Sequence, residues 1–294
     1  MILAFISLVS LSCKNSSSQK STFTKGQIKI VVDETFAPIV DDQAIVFENA
    51  YPESKLNMVY KPENDLLRLF LTDSIRVAII SRELSTQESN FYKNKNIKLR
   101  INRFALDGIA LVNHNSSPDS NVNVSDIISI MQGKKGKIKS LVFDNPNSST
   151  VRYFKELADI SDLPKEGVYA LKSNPDVLRY VNDNPGAIGV IGINWIRQPD
   201  KELEPVVKNL RIIGVKNLEG KIGSDGYYTP NQNDLALGLY PLTRSLYIIN
   251  AEGRPGLGTG FATFIAGERG QRIVLKSGLL PDSIPSRQVI IKED

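Results

Sequence analysis

A single cysteine and a single histidine among 294 residues remove several chemistries at once. A structural zinc site draws its ligands chiefly from these two residue types, a Cys–His dyad needs both in partnership, and a Ser-His-Asp triad needs a placed imidazole. The one imidazole, His114, stands in "NHNSSPDSN", a turn-rich stretch that belongs on the surface. Charge of one sign is also scarce: the formal net charge is +4, and no basic run is interleaved with aromatics, which argues against nucleic acid as a partner. No activated nucleophile stands out, and no cofactor is expected. Long apolar runs are absent after the first residues, so no later segment reads as membrane-spanning.

The composition that remains is ordinary for a globular chain, with 41% hydrophobic and 23% charged residues. The length suggests two domains or two lobes of one fold. The opening "MILAFISLVSLSCKNSSSQKS" has an apolar run from Ile2 to Leu11, too short to span a bilayer but suited to the core of a signal peptide. Small residues flank Leu11 before Cys13, and a polar tether follows. This resembles a bacterial lipoprotein signal with lipidation at Cys13. An ordinary cleaved signal with an incidental cysteine is the alternative, and either places the mature protein outside the cytoplasm.

Beyond the tether, "GQIKIVVDE" reads as a strand, "APIVDDQAIVFENAYP" as a helix stopped by Pro52, "KLNMVYKP" as a strand and "ENDLLRLFLTDS" as a helix. "IRVAIISREL" is apolar almost throughout, the pattern of a parallel strand buried on both faces. This alternation predicts an open α/β sheet. Ser125 is a candidate N-cap for a helix in "VNVSDIISIMQGK". The close, "GTGFATFIAGERGQRIVLKSGLLP", reads as one helix or a broken pair, with Gly278 at its end and Pro281 beyond. Two long extended segments, near 104–113 and 240–250, suit crossings between two lobes. "GRPGLGTGF" is glycine-rich but lacks the Lys-Ser/Thr ending of a P-loop, and reads as a turn into the last helix. Trp195 and the Tyr227–Tyr228 pair read as packing or surface residues.

One stretch poses a sharper question. "FDNPNSSTVRYF" ends an apolar run with Ser148, Ser149 and Thr150 side by side, then turns helical. The hydroxyls either cap the helix or cradle an oxyanion, and the stretch alone leaves both open.

"DETFAP", "AIISREL", "FALDGIALVN", "NPNSST", "NPGAIGVIG", "YPLTRSLYIIN" and "FIAGERGQRIVLKSGLLP", taken in order and spacing, resemble the periplasmic phosphate-binding proteins of high-affinity phosphate ABC transporters. The resemblance implies a two-lobed periplasmic-binding-protein (Venus flytrap) α/β fold. Each lobe is then a mixed sheet flanked by helices, two crossing strands form the hinge, and a tetrahedral oxyanion is buried in the cleft. It implies residues 25–108 plus 245–294 as lobe 1, 109–244 as lobe 2, and 1–24 as signal peptide and tether. Onto its binding loops map Thr35, Phe36 and Ala37 after the first strand, and Ser148, Ser149 and Thr150 in lobe 2; Ser149 stands where the family commonly has glycine. "YKPENDLL" replaces the family's Gly/Ser-rich loop. Arg76 and Asp144 stand where the family has an Asp and an Arg, so an exchanged ion pair across the cleft is expected. Ser81, with Arg76 or Arg82, completes the implied set.

The resemblance thus implies an extracytoplasmic, lipid-anchored, monomeric binding protein, not an enzyme, that carries inorganic phosphate to an ABC permease and sits in the periplasm or on the cell surface. The same fold holding sulfate or molybdate, and an adhesion or sensor protein whose cleft has lost its ligand, remain open at this point.

Overall fold

The computed structural model describes residues 21–283; the signal and Cys13 lipidation expected of the N-terminus fall outside the described residues. The first half is built as the apolar patterning predicts. Strand β1 (Gly26–Asp33) becomes fully buried over its last four residues, and a short 3-10 turn (Glu34–Phe36) leads into helix α1 (Ala37–Ala50). Strand β2 (Ser54–Lys61), helix α2 (Glu63–Leu71) and strand β3 (Val77–Ile80) follow. β1 lies between β2 and β3, parallel to both. Every residue of β3 is buried, as its unbroken "VAII" requires of a central strand. Helix α3 (Thr86–Asn94) opens with a capping box: Ser85 Oγ accepts from the Glu88 N–H (3.2 Å) and Glu88 accepts from the Ser85 N–H (2.7 Å).

The long strand β4 (Arg100–His114) leaves this half and enters the second. There follow β5 (Asn121–Asn123), α4 (Val124–Met131), β6 (Leu141–Phe143), α5 (Ser149–Leu157), β7 (Val168–Ala170), α6 (Asn174–Asp183) and β8 (Ile188–Gly192). α4 begins two residues earlier than expected: its N-cap is Asn123, not Ser125, because Val124 and Ile127 must face the core, and Asp126 accepts from the Asn123 N–H (3.2 Å). Residues 194–236, polar and turn-rich in sequence, supply only short elements: α7 (Asn194–Arg197), α8 (Glu204–Lys208), β9 (Leu210–Ile212), β10 (Gly214–Lys216) and α9 (Gln232–Ala236).

Strand β11 (Thr243–Asn250) carries the chain back, and α10 (Leu257–Ala266), α11 (Glu268–Lys276) and the two-residue β12 (Leu280–Pro281) complete it. The predicted closing helix is a broken pair. Gly267 is extended (φ −82°, ψ 172°) and serves as the C-cap of α10 and the N-cap of α11. A side chain at Gly270 would meet the Phe264 carbonyl oxygen at 2.4 Å, so glycine permits this tight corner.

Ten strands form one sheet in the order β2-β1-β3-β11-β4-β8-β6-β7, with β12 and β9 also on β4, while β5 and β10 pair separately. β11 is antiparallel to both β3 and β4, β4 is antiparallel to β8, and β6 is parallel to β7 and β8. Two sets of parallel strands are therefore joined back to back by the antiparallel pair β4–β11, which gives the two-lobed arrangement. Apolar packing is continuous through that pair: Ala110 and Val112 of β4 belong to the same buried cluster as Ile30, Phe47 and Phe261 on one side and Val177 and Ile191 on the other.

Phe47 anchors the helical layer, with its ring 4.9 Å from Tyr51 and 5.3 Å from both Phe261 and Phe264. Phe47→Ala is expected to cost about 3–5 kcal/mol of unfolding free energy. Phe47→Leu should cost clearly less; urea denaturation of the two variants checks the order.

Candidate functional site

Parallel strands in open α/β sheets direct their carboxyl ends toward ligand crevices. Here the carboxyl ends from both halves meet. β1 ends at Asp33–Ala37, β3 at Ser81 and Arg82, β6 at Asp144, and β8 at Ile193–Trp195. The antiparallel β11 brings its first residues to the same level: Tyr247 pairs with Ile80, so Arg244 lies just beyond the end of β3.

The turn after β1 is tied by its own carboxylate, since Asp33 Oδ1 accepts from the Thr35 N–H (3.1 Å). The Thr35 carbonyl accepts from Trp195 Nε1 (2.8 Å) and Asn194 Nδ2 (3.3 Å), and the Thr35 hydroxyl donates to Asp144 Oδ2 (3.3 Å). Thr35 in the first half and Asp144 in the second are thus in direct contact, and both are fully buried. A Cβ at Gly192 would stand 2.6 Å from Asn194 Oδ1, so glycine lets β8 approach this closely.

The hydroxyl row divides between two kinds of contact. Ser148 caps α5: its Oγ accepts from the Val151 N–H (3.2 Å) and donates to Asp144 Oδ1 (2.6 Å). Ser149 and Thr150 turn away from capping, and their hydroxyl oxygens accept from Arg244 Nη1 at 3.0 and 3.1 Å. Their backbone amides are the first of the helix, where N–H groups have no acceptor within the helix and the dipole favours an anion.

Arg244 is the cation of this cluster, and residue-by-residue mapping did not name it. Its side chain is 3% exposed; Nε donates to the fully buried Asp107 Oδ2 at 2.9 Å, and its guanidinium lies 4.6 Å from the Phe36 ring centre. Arg244 and Asp107 are direct partners across β11 and β4. The signal was present in the sequence: each is a lone charge inside an apolar extended run, "TRSLYIIN" and "FALDGIALV", where a charge is tolerated only if paired.

The expected pair of Arg76 and Asp144 does not form. Arg76 precedes β3, at the amino end of a strand whose carboxyl end faces the cluster. Its exposed side chain binds Asp73 (2.9 Å). Asp144 is engaged instead by Ser148, Thr35 and Asn174 Nδ2 (3.2 Å). Arg82 reaches Glu88 with two contacts of 2.8 Å and Glu63 at 3.3 Å, and Ser81 adjoins the same Glu63 carboxylate. Phe36 is buried beneath Arg244, and Ala37 starts α1.

Several buried polar atoms of the cluster have no hydrogen-bond partner among the described residues: Arg244 Nη2 as a donor, and Asp33 Oδ2, Asp107 Oδ1, Asn174 Oδ1 and Asn194 Oδ1 as acceptors. A buried guanidinium N–H is costly when unsatisfied. The cluster therefore suits a small group that accepts from Arg244 and donates to carboxylates. Among the described residues no grouping of His, Cys, Asp and Glu suits a metal ion, and no helix is long and apolar enough to cross a membrane.

A family model described as the PBP superfamily domain matches residues 17–269. The chain belongs to the PBP superfamily. The fold of this PBP-superfamily chain is shared by a phosphate ABC transporter substrate-binding protein with bound phosphate from Clostridium perfringens, at 20% identity and a TM-score of 0.72 over 88% of this chain and 100% of that one. An ABC-type phosphate transport receptor from Vibrio cholerae matches at 20% identity and a TM-score of 0.65, covering 87% of this chain and 100% of that one. An OxyR2 regulatory domain from Vibrio vulnificus also matches, at 13% identity and a TM-score of 0.54, over 82% of this chain and 98% of that one. No curated protein matches by sequence.

Carboxylates outnumber cations around this PBP cleft, and their protonation follows. Burial pushes Asp33 up to about 6 against the pull of Arg244. Glu34, half-buried, is pushed up to about 7 by burial and then by repulsion from Asp144 and Asp33. Burial also raises Asp107 and Asp144, opposed by Arg244 and by the Ser148 hydroxyl respectively. Raised carboxylates make the folded protein bind protons more readily than the unfolded chain. The stability they contribute is present below the unfolded values near 4 and is lost as pH rises through about 6 and 7. Glu88, held down to about 2 chiefly by Arg82, acts in the opposite sense but below this window. The anion-free protein should therefore melt higher near pH 5 than near pH 7.5, by on the order of a few degrees. Asp33→Asn should flatten that slope; thermal melts across the range check it.

Proposed function

We propose that this protein is an extracytoplasmic phosphate-binding protein that delivers inorganic phosphate to an ABC permease. The observation that carries the reading is Arg244: a buried guanidinium with one N–H unpartnered, set between two buried hydroxyls and two carboxylates that each retain a free oxygen. Phosphate near neutral pH brings both oxygens that accept from Arg244 and the α5 amides and an O–H that donates to Asp33 or Asp107. Sulfate has no such proton and meets only repulsion there. Rejection of a ligand that leaves buried polar groups unmatched reaches roughly 10⁴-fold in favourable sites. This favours phosphate over sulfate or molybdate. A cleft without any ligand would leave the Arg244 N–H buried and unsatisfied, which disfavours a purely adhesive role.

In this reading the protein performs no chemistry. The anion contacts Thr35 and Arg244 with Ser149 and Thr150, closing the lobes, and the permease recognises the closed form. Cys13 carries the lipid anchor, and the protein works as a monomer at the membrane surface.

The fold supplies its own reporter. Trp195 is the chain's one tryptophan, and its Nε1 donates to the Thr35 carbonyl across the cleft. Titrating phosphate into anion-free protein should release or absorb heat and shift the Trp195 emission, while sulfate should do neither. Arg244→Ala should weaken phosphate binding by roughly 100-fold or more, since truncating one member of a buried charge network costs several kcal/mol. Absence of any heat with phosphate would overturn the assignment.

A further inference from the structure

Where the resemblance implies a Gly/Ser-rich anion loop, this chain has "YKPENDLL", and there the structure puts a buried carboxylate. Glu63 opens α2, and its side chain is 1% exposed. Its partners come from both lobes. Arg82, after β3 in its own lobe, approaches Oε1 at 3.3 Å; Arg152, on α5 of the other lobe, donates from Nε to Oε1 (2.6 Å) and from Nη2 to Oε2 (3.2 Å). Arg152 Nη2 also lies 3.3 Å from the Ser81 hydroxyl. Beside this group the Asn64 N–H donates to the Asn147 carbonyl (3.3 Å), a second link between α2 and the loop before α5. Arg152 and Ser148 line a cavity of about 480 Å³ at the surface, so the pair stands between the buried hydroxyl row and solvent.

We propose that Glu63 and Arg152 form a latch between the lobes, which holds part of the anion-free population closed and slows escape of a bound anion. The supporting contacts make the latch reversible. Arg152 is also held by Glu156 (3.0 and 2.9 Å) one turn along α5, and Glu63 retains Arg82. Opening the cleft separates the pair without leaving either charge bare, so it avoids the large penalty of an unpaired buried ion. The ion pair nevertheless favours the closed form, because it is lost only on opening. Lobe closure and anion affinity are then linked through one equilibrium.

The effect on closure needs no ligand; the effect on escape rests on the phosphate reading above. Small-angle scattering of anion-free protein tests the first part. Glu63→Gln, which keeps the shape and removes the charge, should have a larger radius of gyration than the parent protein. Stopped-flow Trp195 fluorescence with inorganic phosphate tests the second: release should be roughly 10-fold faster in Glu63→Gln. Arg152→Gln should reproduce both changes and carries the test if the first variant fails to fold. Glu156→Gln, which removes the partner that Arg152 keeps on opening, should show neither the larger radius of gyration nor the faster release. Unchanged dimensions in both latch variants would overturn the proposal whatever the ligand is. Tighter phosphate binding in Glu63→Gln would overturn it too, since that outcome makes Glu63 a competitor of the anion.

Discussion

A guanidinium buried between two lobes is the constraint around which the molecule is organised. Arg244 cannot leave water without compensation, and the structure compensates most of it: a carboxylate across the sheet, two hydroxyls at the start of α5, and an aromatic face. These partners come from β4, α5 and the turn after β1, so the charge obliges elements distant in sequence to meet. They leave one N–H and a few carboxylate and amide oxygens unsatisfied.

The sheet explains how such a meeting is reached. Three parallel strands in each lobe deliver loops from their carboxyl ends, and the antiparallel β4–β11 pair joins the two sets so that those ends face one another. Capping, turn geometry and the pairing of Arg244 are then one local problem. Ser148 closes the first turn of α5 and fixes Asp144, while its two neighbours are freed to meet Arg244. The surplus of carboxylates has a consequence of its own: burial and mutual repulsion raise their proton affinity.

Much of the fold was legible beforehand. The unbroken "VAII", the helical faces of "ENDLLRLFL" and "STVRYFKEL", and the two long extended runs are local patterns that period and burial reveal directly. The turn into α5 at the hydroxyl row was legible as well. The Arg76–Asp144 expectation went wrong for a physical reason: a strand has two ends, and alignment by residue type does not say which end faces the cleft. Position 76 lies at the far end of β3, while position 244 enters from an antiparallel strand. The N-cap of α4 stands at Asn123 because Val124 is buried in the core and Asn123 forms a capping box with Asp126.

The amino-acid sequence alone determined the alternation of strand and helix, the identity of the hydroxyl turn and the scarcity of reactive side chains, because each depends on residues close together along the chain. Which charges pair was decided only by the tertiary structure. Asp107 with Arg244, and Glu63 with Arg152, are brought together by sheet order and lobe apposition, and the interaction of two charges depends on their separation in space rather than along the backbone.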